Sequence, residues 1–533
     1  MSGDNTSYGN MPFMMINKTK QFTILGVVLA TLIATTGWQF AAKENKASKP
    51  NIVLINLDDL GYGDVGAYGA TALQTPNMDR IANGGIRFTN GYATSSTCTP
   101  SRFALVTGVY PWRNKDAKIL PGDAPLLIDT AQMTIPKILK KAGYATGIVG
   151  KWHLGLGNGN TDWNQEIKPG PNQLGFDYSY ILAATQDRVP TVYIENTRVV
   201  GLDANDPIQV SYKENFPGEP TGKDNPDLLK MKWHHGHDQS ITNGISRIGY
   251  MKGGAKAKWN DEEMADLFLT KAQQFITEHK SKPFFLYYAM QQPHVPRTPN
   301  PRFKGVTGLG PRGDAIAEAD WCLGELLKTL EKEGVLENTL IIFTSDNGPV
   351  VNDGYHDEAV EKLGNHKPAG PLRGGKYSLF EAGVRVPFMT YWKGTIKPAV
   401  SDAVVCQLDL LSSLAHLAGE EVKGLDSQNY LDVFLGKSKK GRNELIIEAS
   451  SRTALRQGDF VMIPPYDGPA VNKQVNIELG NAKEYQLYNV KKDIGQQNNL
   501  AKSQPEKLKQ LITAYGQLQE GNSKIKVENL KLE

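Results

Sequence analysis

The chain has 533 residues, 40% hydrophobic and 22% charged, which are ordinary globular values and allow one large domain with a smaller companion. Its 59 basic and 56 acidic residues leave a formal charge of +3, so no basic excess supports nucleic-acid binding. Three cysteines form at most one disulfide, which excludes a disulfide scaffold.

In chain order, the first feature is a leader over residues 1–45. Lys18 and Lys20 precede an apolar run from Phe22 to Ala34, and small residues follow at Ala41 and Ala42, the layout of a secretory signal. The run is shorter than the about 20 residues of a spanning helix. The expectation is a periplasmic or secreted protein with no stable membrane insertion after signal removal; a retained N-terminal anchor is the alternative. Met14 or Met15 fits as the true start, because the polar stretch before them is unlike a signal's basic end.

Four short apolar runs then break off into polar, glycine-rich or proline-rich segments. They are NIVLINL (51–57) before DDLGYGD, YATGIVG (144–150) before KWHLG, PFFLYYAM (283–290) before QQPHVPR, and TLIIFT (339–344) before SDNGP. Each reads as a buried strand. Helix-like stretches lie between them at 134–143, 262–280 and 314–334. This alternation predicts an α/β fold with a mostly parallel central sheet covered by helices. From about 430 onward short strands (ELIIEAS, FVMIPP, YQLYNV) and a final helix predict a smaller α+β subdomain. The expected division is therefore 46–430 and 431–533.

Ligands collect beyond the carboxyl ends of such strands. The four breaks send Asp58, Asp59, Lys151, His153, His294, Asp346 and Asn347 toward one edge. Asp58, Asp59, Asp346 and Asn347 offer only oxygen donors, which suit Ca²⁺ or Mg²⁺ rather than zinc; solvated turn aspartates are the bland alternative. Lys151 and His153, two apart, point the same way if extended, a lysine for an oxyanion and an imidazole for proton movement. Lys376 follows two glycines that let the backbone approach a ligand. Each residue taken singly also fits a surface loop.

Cys322 and Cys406 read as packed core thiols. Cys98, in SSTCTPSRFALVTG, is different. With Thr99 or Cys98 as the cap and Pro100 in the first turn, its side chain sits at the positive end of a helix, one turn from Arg102. That setting is expected to depress a thiol pKa. Three readings compete: a buried small hydrophobe, a nucleophilic thiolate, or the precursor of another group. The cations Arg102, Lys151 and Lys376 suit a substrate rich in anionic oxygens better than acyl transfer.

CTPSRFALVTG resembles the cysteine-type signature of formylglycine-dependent sulfatases. NIVLINLDDLGYGDVGAYG, GYATGIVGKWHLG, PFFLYYAMQQPHVP, FTSDNGP, LRGGKYSLFEAGVRVP and YQLYNVKKD extend the resemblance over nearly all of 50–500. Val109 departs from the arginine that many members carry after Thr-Gly. The resemblance implies an alkaline phosphatase-like fold and conversion of Cys98 to formylglycine by a maturation enzyme. It implies a hydrated aldehyde as nucleophile, ligated to Ca²⁺, with Mg²⁺ less favoured. It further implies that Asp58, Asp59, Asp346, Asn347 and residue 98 bind the metal, that Arg102 holds the hydrate, and that Lys151 and Lys376 bind sulfate. His153 then takes the diol proton and His294 serves the leaving oxygen.

A sulfated carbohydrate is the expected substrate, and resemblance to galactose-type polysaccharide sulfatases suggests a 6-O-sulfate on galactose or N-acetylgalactosamine. The segment 233–254 offers His234, His235, His237 and Arg247 to the cleft, and His366 and Arg373 lie close to Lys376 in sequence. Two rivals stand beside this reading: a phosphatase or phosphonate hydrolase of the same superfamily, and a non-catalytic glycan binder with an unmodified Cys98.

Overall fold

The computed structural model describes residues 49–422 and 426–523, so the predicted leader over 1–45 lies outside the described residues. The main sheet contains, in chain order, β1 (Asn51–Leu57), β2 (Ile86–Tyr92), β3 (Ala145–Lys151), β4 (Tyr178–Leu182), β5 (Tyr193–Glu195), β6 (Arg198–Val199), β7 (Phe284–Ala289), β8 (Thr339–Ser345), β9 (Phe388–Tyr391) and β10 (Ala399–Cys406). Across the sheet they lie in the order β10-β2-β9-β8-β1-β7-β3-β4-β5-β6. The four predicted strands occupy its centre as parallel neighbours, β8-β1-β7-β3, with β4 continuing in the same sense. The antiparallel β9 separates them from β2.

The central strands are apolar along their length because both faces are covered. Alternation divides β1 between two cores: Ile52 and Leu54 face one side, Val53, Ile55 and Leu57 the other. The longer helices are α1 (Pro76–Gly84), α2 (Cys98–Thr107), α3 (Ile135–Lys141), α4 (Met264–His279), α5 (Gly310–Lys332), α6 (Leu410–Leu417) and α7 (Pro505–Ser523). Helices α2, α3 and α6 cover the Ile52 face through Phe103, Leu139 and Leu414. Helices α1, α4 and α5 cover the other through Ile81, Phe268 and Leu323. Cys322 is buried in α5 and Cys406 ends β10, both as free thiols.

The second, antiparallel sheet is formed by β11 (Glu444–Ala449), β12 (Arg452–Gln457), β13 (Phe460–Ile463) and β14 (Gln486–Asn489), with α7 against it through Leu511. It starts later than residue 431. Leu431, Val433 and Phe434 pack into the α2 side of the main core, while Tyr92, Ala104 and Cys406 share the core of the second sheet. The two sheets therefore belong to one compact unit. Among the described residues no helix is long and apolar enough to cross a membrane.

Candidate active site

The parallel register brings the four strand exits together. Leu57 pairs with Ser345, and beyond them Asp346 N donates to Leu57 O at 3.0 Å and Asp58 N to Gln292 O at 3.0 Å. Asp58, Asp59 and Asp346 consequently present carboxylate oxygens that lie within 4.8 Å of one another. Asp59 adopts a left-handed φ of 64°, which turns its side chain back toward the β8 exit. There Asn347 Nδ2 donates to Asp59 Oδ1 at 2.7 Å, while Asn347 Oδ1 is buried without a partner. Three crowded carboxylates and an orphaned amide oxygen fit a hard divalent cation. Burial and the neighbouring Asp58 push the Asp346 carboxyl up to about 6, despite Arg102 and Lys151, and a cation would relieve that repulsion.

Three cations face the three carboxylates. Lys151 Nζ lies 2.6 Å from Asp58 Oδ2, and Lys376 Nζ 2.8 Å from Asp59 Oδ2. Arg102 Nε donates to Asp346 Oδ2 at 2.9 Å and Nη1 to Lys151 O at 3.2 Å. All six side chains are buried. For Asp59 burial works upward, but Lys376, His294 and Lys151 overcome it and hold the carboxyl below its ordinary range. The six charges sum to zero. A bound divalent cation leaves the pocket with net charge +2, suited to an anion.

Cys98 opens α2, with Sγ 3.7 Å from Asp58 Oδ1. The cap is Thr97, in extended conformation and without a side-chain capping bond, rather than Cys98 or Thr99. Thr99 Oγ1 instead donates to His153 O at 3.0 Å. The expected depression of the thiol does not occur. Burial pushes Cys98 up to about 12 and prevails over the attraction of Lys151 and Lys376. A thiol so held is protonated at neutral pH, which disfavours a thiolate nucleophile and leaves the buried-hydrophobe and precursor readings.

The imidazoles of His153 and His294 are both buried. His153 Nε2 contacts Leu120 O at 2.9 Å, and a carbonyl can only accept, so the proton is on Nε2 and the unpartnered, buried Nδ1 carries the lone pair. Burial and then Lys151 hold that ring well below the imidazole range. His294 Nδ1 donates to Val295 O at 2.7 Å, which leaves Nε2 toward Asp59 Oδ2, 3.8 Å away. Burial lowers His294 to about 4.

Cys98, His153, His294 and Lys376 line the floor of a cleft whose walls include His235 and His237. Three further wall residues went unnoticed in the sequence: Asp187, Arg188 and Asp353. Arg188 Nη1 lies 3.0 Å from Asp187 Oδ1, and Asp187 Oδ2 meets His237 Nε2 at 2.8 Å. Asp353 lies 3.3 Å from Lys376 Nζ. Asn472 and Gln474, from a short hairpin next to the second sheet, close the far wall. Asp187 and Arg188 lie in the loop that leaves β4, so recognising YSYIL as a strand brings that loop to the same sheet edge.

Four sequence candidates lie elsewhere. Arg247 is fully buried, 2.7 Å from Asp261 Oδ2 and bonded to Gln186 O and Thr242 O, so it braces the wall and does not face the cleft. His366 Nε2 bonds Asp64 Oδ1 at 2.8 Å, on a carboxylate that Arg312 also grips. Arg373 turns away at Gly374 (φ 85°), forks onto Glu478 and stacks on Phe380. His234 is exposed and packs on His235 and His356.

The family model described as Sulfatase matches residues 50–420. The chain is 49% identical over 480 residues to an N-acetylgalactosamine-6-O-sulfatase of Bacteroides thetaiotaomicron, covering 89% of this chain and 94% of that protein. It is 33% identical over 427 residues to arylsulfatase A of Bos taurus, covering 78% and 74% respectively. A solved 6S-sulf protein, from the Bacteroides thetaiotaomicron locus for metabolism of multiple glycosaminoglycans, superposes with a TM-score of 0.88 at 48% identity, over 90% of this chain and all of that one. The chain is a member of the sulfatase family.

Proposed function

We propose that this sulfatase removes 6-O-sulfate from N-acetylgalactosamine or galactose units of a sulfated glycan, with residue 98 as formylglycine and Ca²⁺ in the carboxylate cluster. The observation that carries the reading is the meeting of residue 98, three carboxylates and three buried cations in one cleft. The 49% identity to an N-acetylgalactosamine-6-O-sulfatase supports the choice of sugar.

Asp58, Asp59, Asp346 and the Asn347 amide oxygen would hold the cation, which supplies positive charge beside residue 98. Formylglycine supplies, as its hydrate, one hydroxyl for attack on sulfur and a second that permits release, where a plain alcohol would stay esterified. Arg102 fixes Asp346 and reaches within 3.9 Å of Asp58, so the carboxylate frame is set before substrate arrives. Lys151 and Lys376 stay protonated: burial lowers both, but Asp58 and Asp59 more than offset it. They offer fixed positive charge to sulfate oxygens, and such preorganised charge needs little reorganisation during reaction. His153, with a free lone pair on Nδ1, accepts the hydroxyl proton of residue 98. His294 keeps its ring proton on Nδ1, so it would serve the leaving sugar oxygen from Nε2 only as the imidazolium.

The leader pattern supports export to the periplasm or beyond, and the modification calls for a formylglycine-generating enzyme as maturation partner. The test is desulfation of defined mono- and disaccharides by mature enzyme. Release of sulfate from 6-sulfated N-acetylgalactosamine or galactose, with little from 4-sulfated sugars or from nitrophenyl phosphate, is expected. Equal rates on 4- and 6-sulfates contradict the positional assignment, and faster cleavage of the phosphate contradicts the sulfate ester itself.

A further inference from the structure

We infer that Arg297 is a positioning residue for sulfate-ester hydrolysis: its guanidinium staples the loop that carries His294 to the loop that faces Lys376, and so fixes the ring that serves the leaving oxygen. The inference rests on the role given to His294 above.

The need for a staple is written in QQPHVPR (291–297), the segment that follows β7. Pro293 and Pro296 have no N–H, so the backbone there is short of donors. His294 N donates to Gln291 O at 3.0 Å, and Gln292 O accepts Asp58 N at 3.0 Å. Gln292 Nε2 donates to Glu318 Oε2 on α5 at 3.1 Å. These bonds hold the start of the loop. The carbonyl of Pro293, in the planar peptide unit that leads into His294, is held by Arg297 Nε at 3.0 Å.

The rest of the guanidinium grips the second loop. Nη1 donates to Val351 O and to Asp357 Oδ2, each at 2.8 Å, and Nη2 donates to Val350 O at 3.0 Å. That loop leaves β8 through Asp346 and Asn347 and runs on to Asp353, 3.3 Å from Lys376 Nζ. Its Pro349 O also accepts Lys376 N at 3.0 Å. β7 and β8 flank β1, so the staple joins the exits on either side of Asp58 and Asp59. Val295 and Tyr355, one from each loop, pack in a small apolar cluster of their own.

Arg297 is 2% exposed, and neither it nor Asp357 lines the cleft. Any effect of the pair on rate must therefore pass through the two loops. A lysine keeps the charge but lacks the planar fork that reaches two loops at once.

The experiment measures kcat and KM of the mature, Ca²⁺-loaded parent, Arg297→Lys, His294→Ala and the double variant, with melting curves to confirm folding. The substrates are nitrophenyl sulfate and whichever sulfated sugar the enzyme cleaves, so a wrong sulfate position leaves the comparison intact. Nitrophenolate departs without a proton and a sugar oxygen does not, so a displaced His294 harms the sugar ester selectively. Arg297→Lys is expected to lower kcat on the sugar by about 10²-fold, with little change in KM or in the nitrophenyl rate. The double variant is expected to be no slower on the sugar than His294→Ala, because both changes remove one function. Asp357→Asn, which loosens the staple without deleting it, is expected to show the same selective loss in smaller measure. Equal losses on both esters, losses that multiply in the double variant, or no selective loss in any folded staple variant overturn the inference. A His294→Ala enzyme that cleaves the sugar ester at the parent rate overturns the role of His294 itself, and the inference with it.

Discussion

Arg102 and Asp346 meet at 2.9 Å, one from α2, a turn past Cys98, and the other from the exit of β8, and both are buried. Their contact ties the helix that carries residue 98 to the strand end that carries Asp346 and Asn347. Removing one partner leaves a buried charge uncompensated. Arg102→Ala is therefore expected to cost roughly 3–5 kcal/mol of stability, with Arg102→Lys losing less. Denaturant melts of the metal-loaded protein check this; an unchanged midpoint in the alanine variant contradicts the tie.

His153→Ala separates proton transfer from binding. The ring makes one hydrogen bond, to Leu120 O, and its Nδ1 has no partner. The expected result is a fall in kcat of about 10²–10⁴ with little change in KM. A variant that raises KM at constant kcat shows His153 to be a binding group instead.

Chelation addresses the carboxylate cluster. Exhaustive treatment with EGTA is expected to abolish sulfate release, and Ca²⁺ to restore it better than Zn²⁺, because the donors are oxygens. Full activity in the chelated enzyme, with metal content verified by elemental analysis, contradicts an ion in that cluster.

Glu448 gives a pH signature of the fold. Its carboxyl lies in β11 with Oε2 unpartnered, and burial raises it from 4.5 to about 7. A folded-state value above the unfolded one means that the stabilising proton is fully held below about 4.5. Its contribution is lost as pH rises through about 7, by about 3 kcal/mol at most. Glu448→Gln, an uncharged isostere, is expected to raise the melting temperature at pH 8 and to leave it nearly unchanged at pH 4. An equal shift at both pH values contradicts the assignment.

The sequence made the middle of this molecule readable and its margins obscure. β1, β3, β7 and β8 are buried on both faces, so they show as uninterrupted apolar runs, and their exits name Asp58, Lys151, His294 and Asp346 directly. β2, with Asn90 and Gly91 near its end, and the four-residue β9 carry no such run, so the antiparallel insertion was not legible. Asp187 and Arg188 escaped for the same reason, behind the short β4. Arg247, His366 and Arg373 were misplaced because their partners Asp261, Asp64 and Glu478 are revealed only by folding. The Cys98 thiol was misjudged in sign: a helix start and nearby cations are visible in the sequence, but the burial that outweighs them is not.

The most direct measurement is the chemical state of residue 98 in active enzyme, read by mass spectrometry of its tryptic peptide after treatment with iodoacetamide and, separately, with a hydrazide. The expected peptide resists alkylation and reacts with the hydrazide as an aldehyde, in proportion to the sulfate-releasing activity of the preparation. An alkylatable thiol at residue 98 throughout a fully active preparation contradicts the hydrolysis described above.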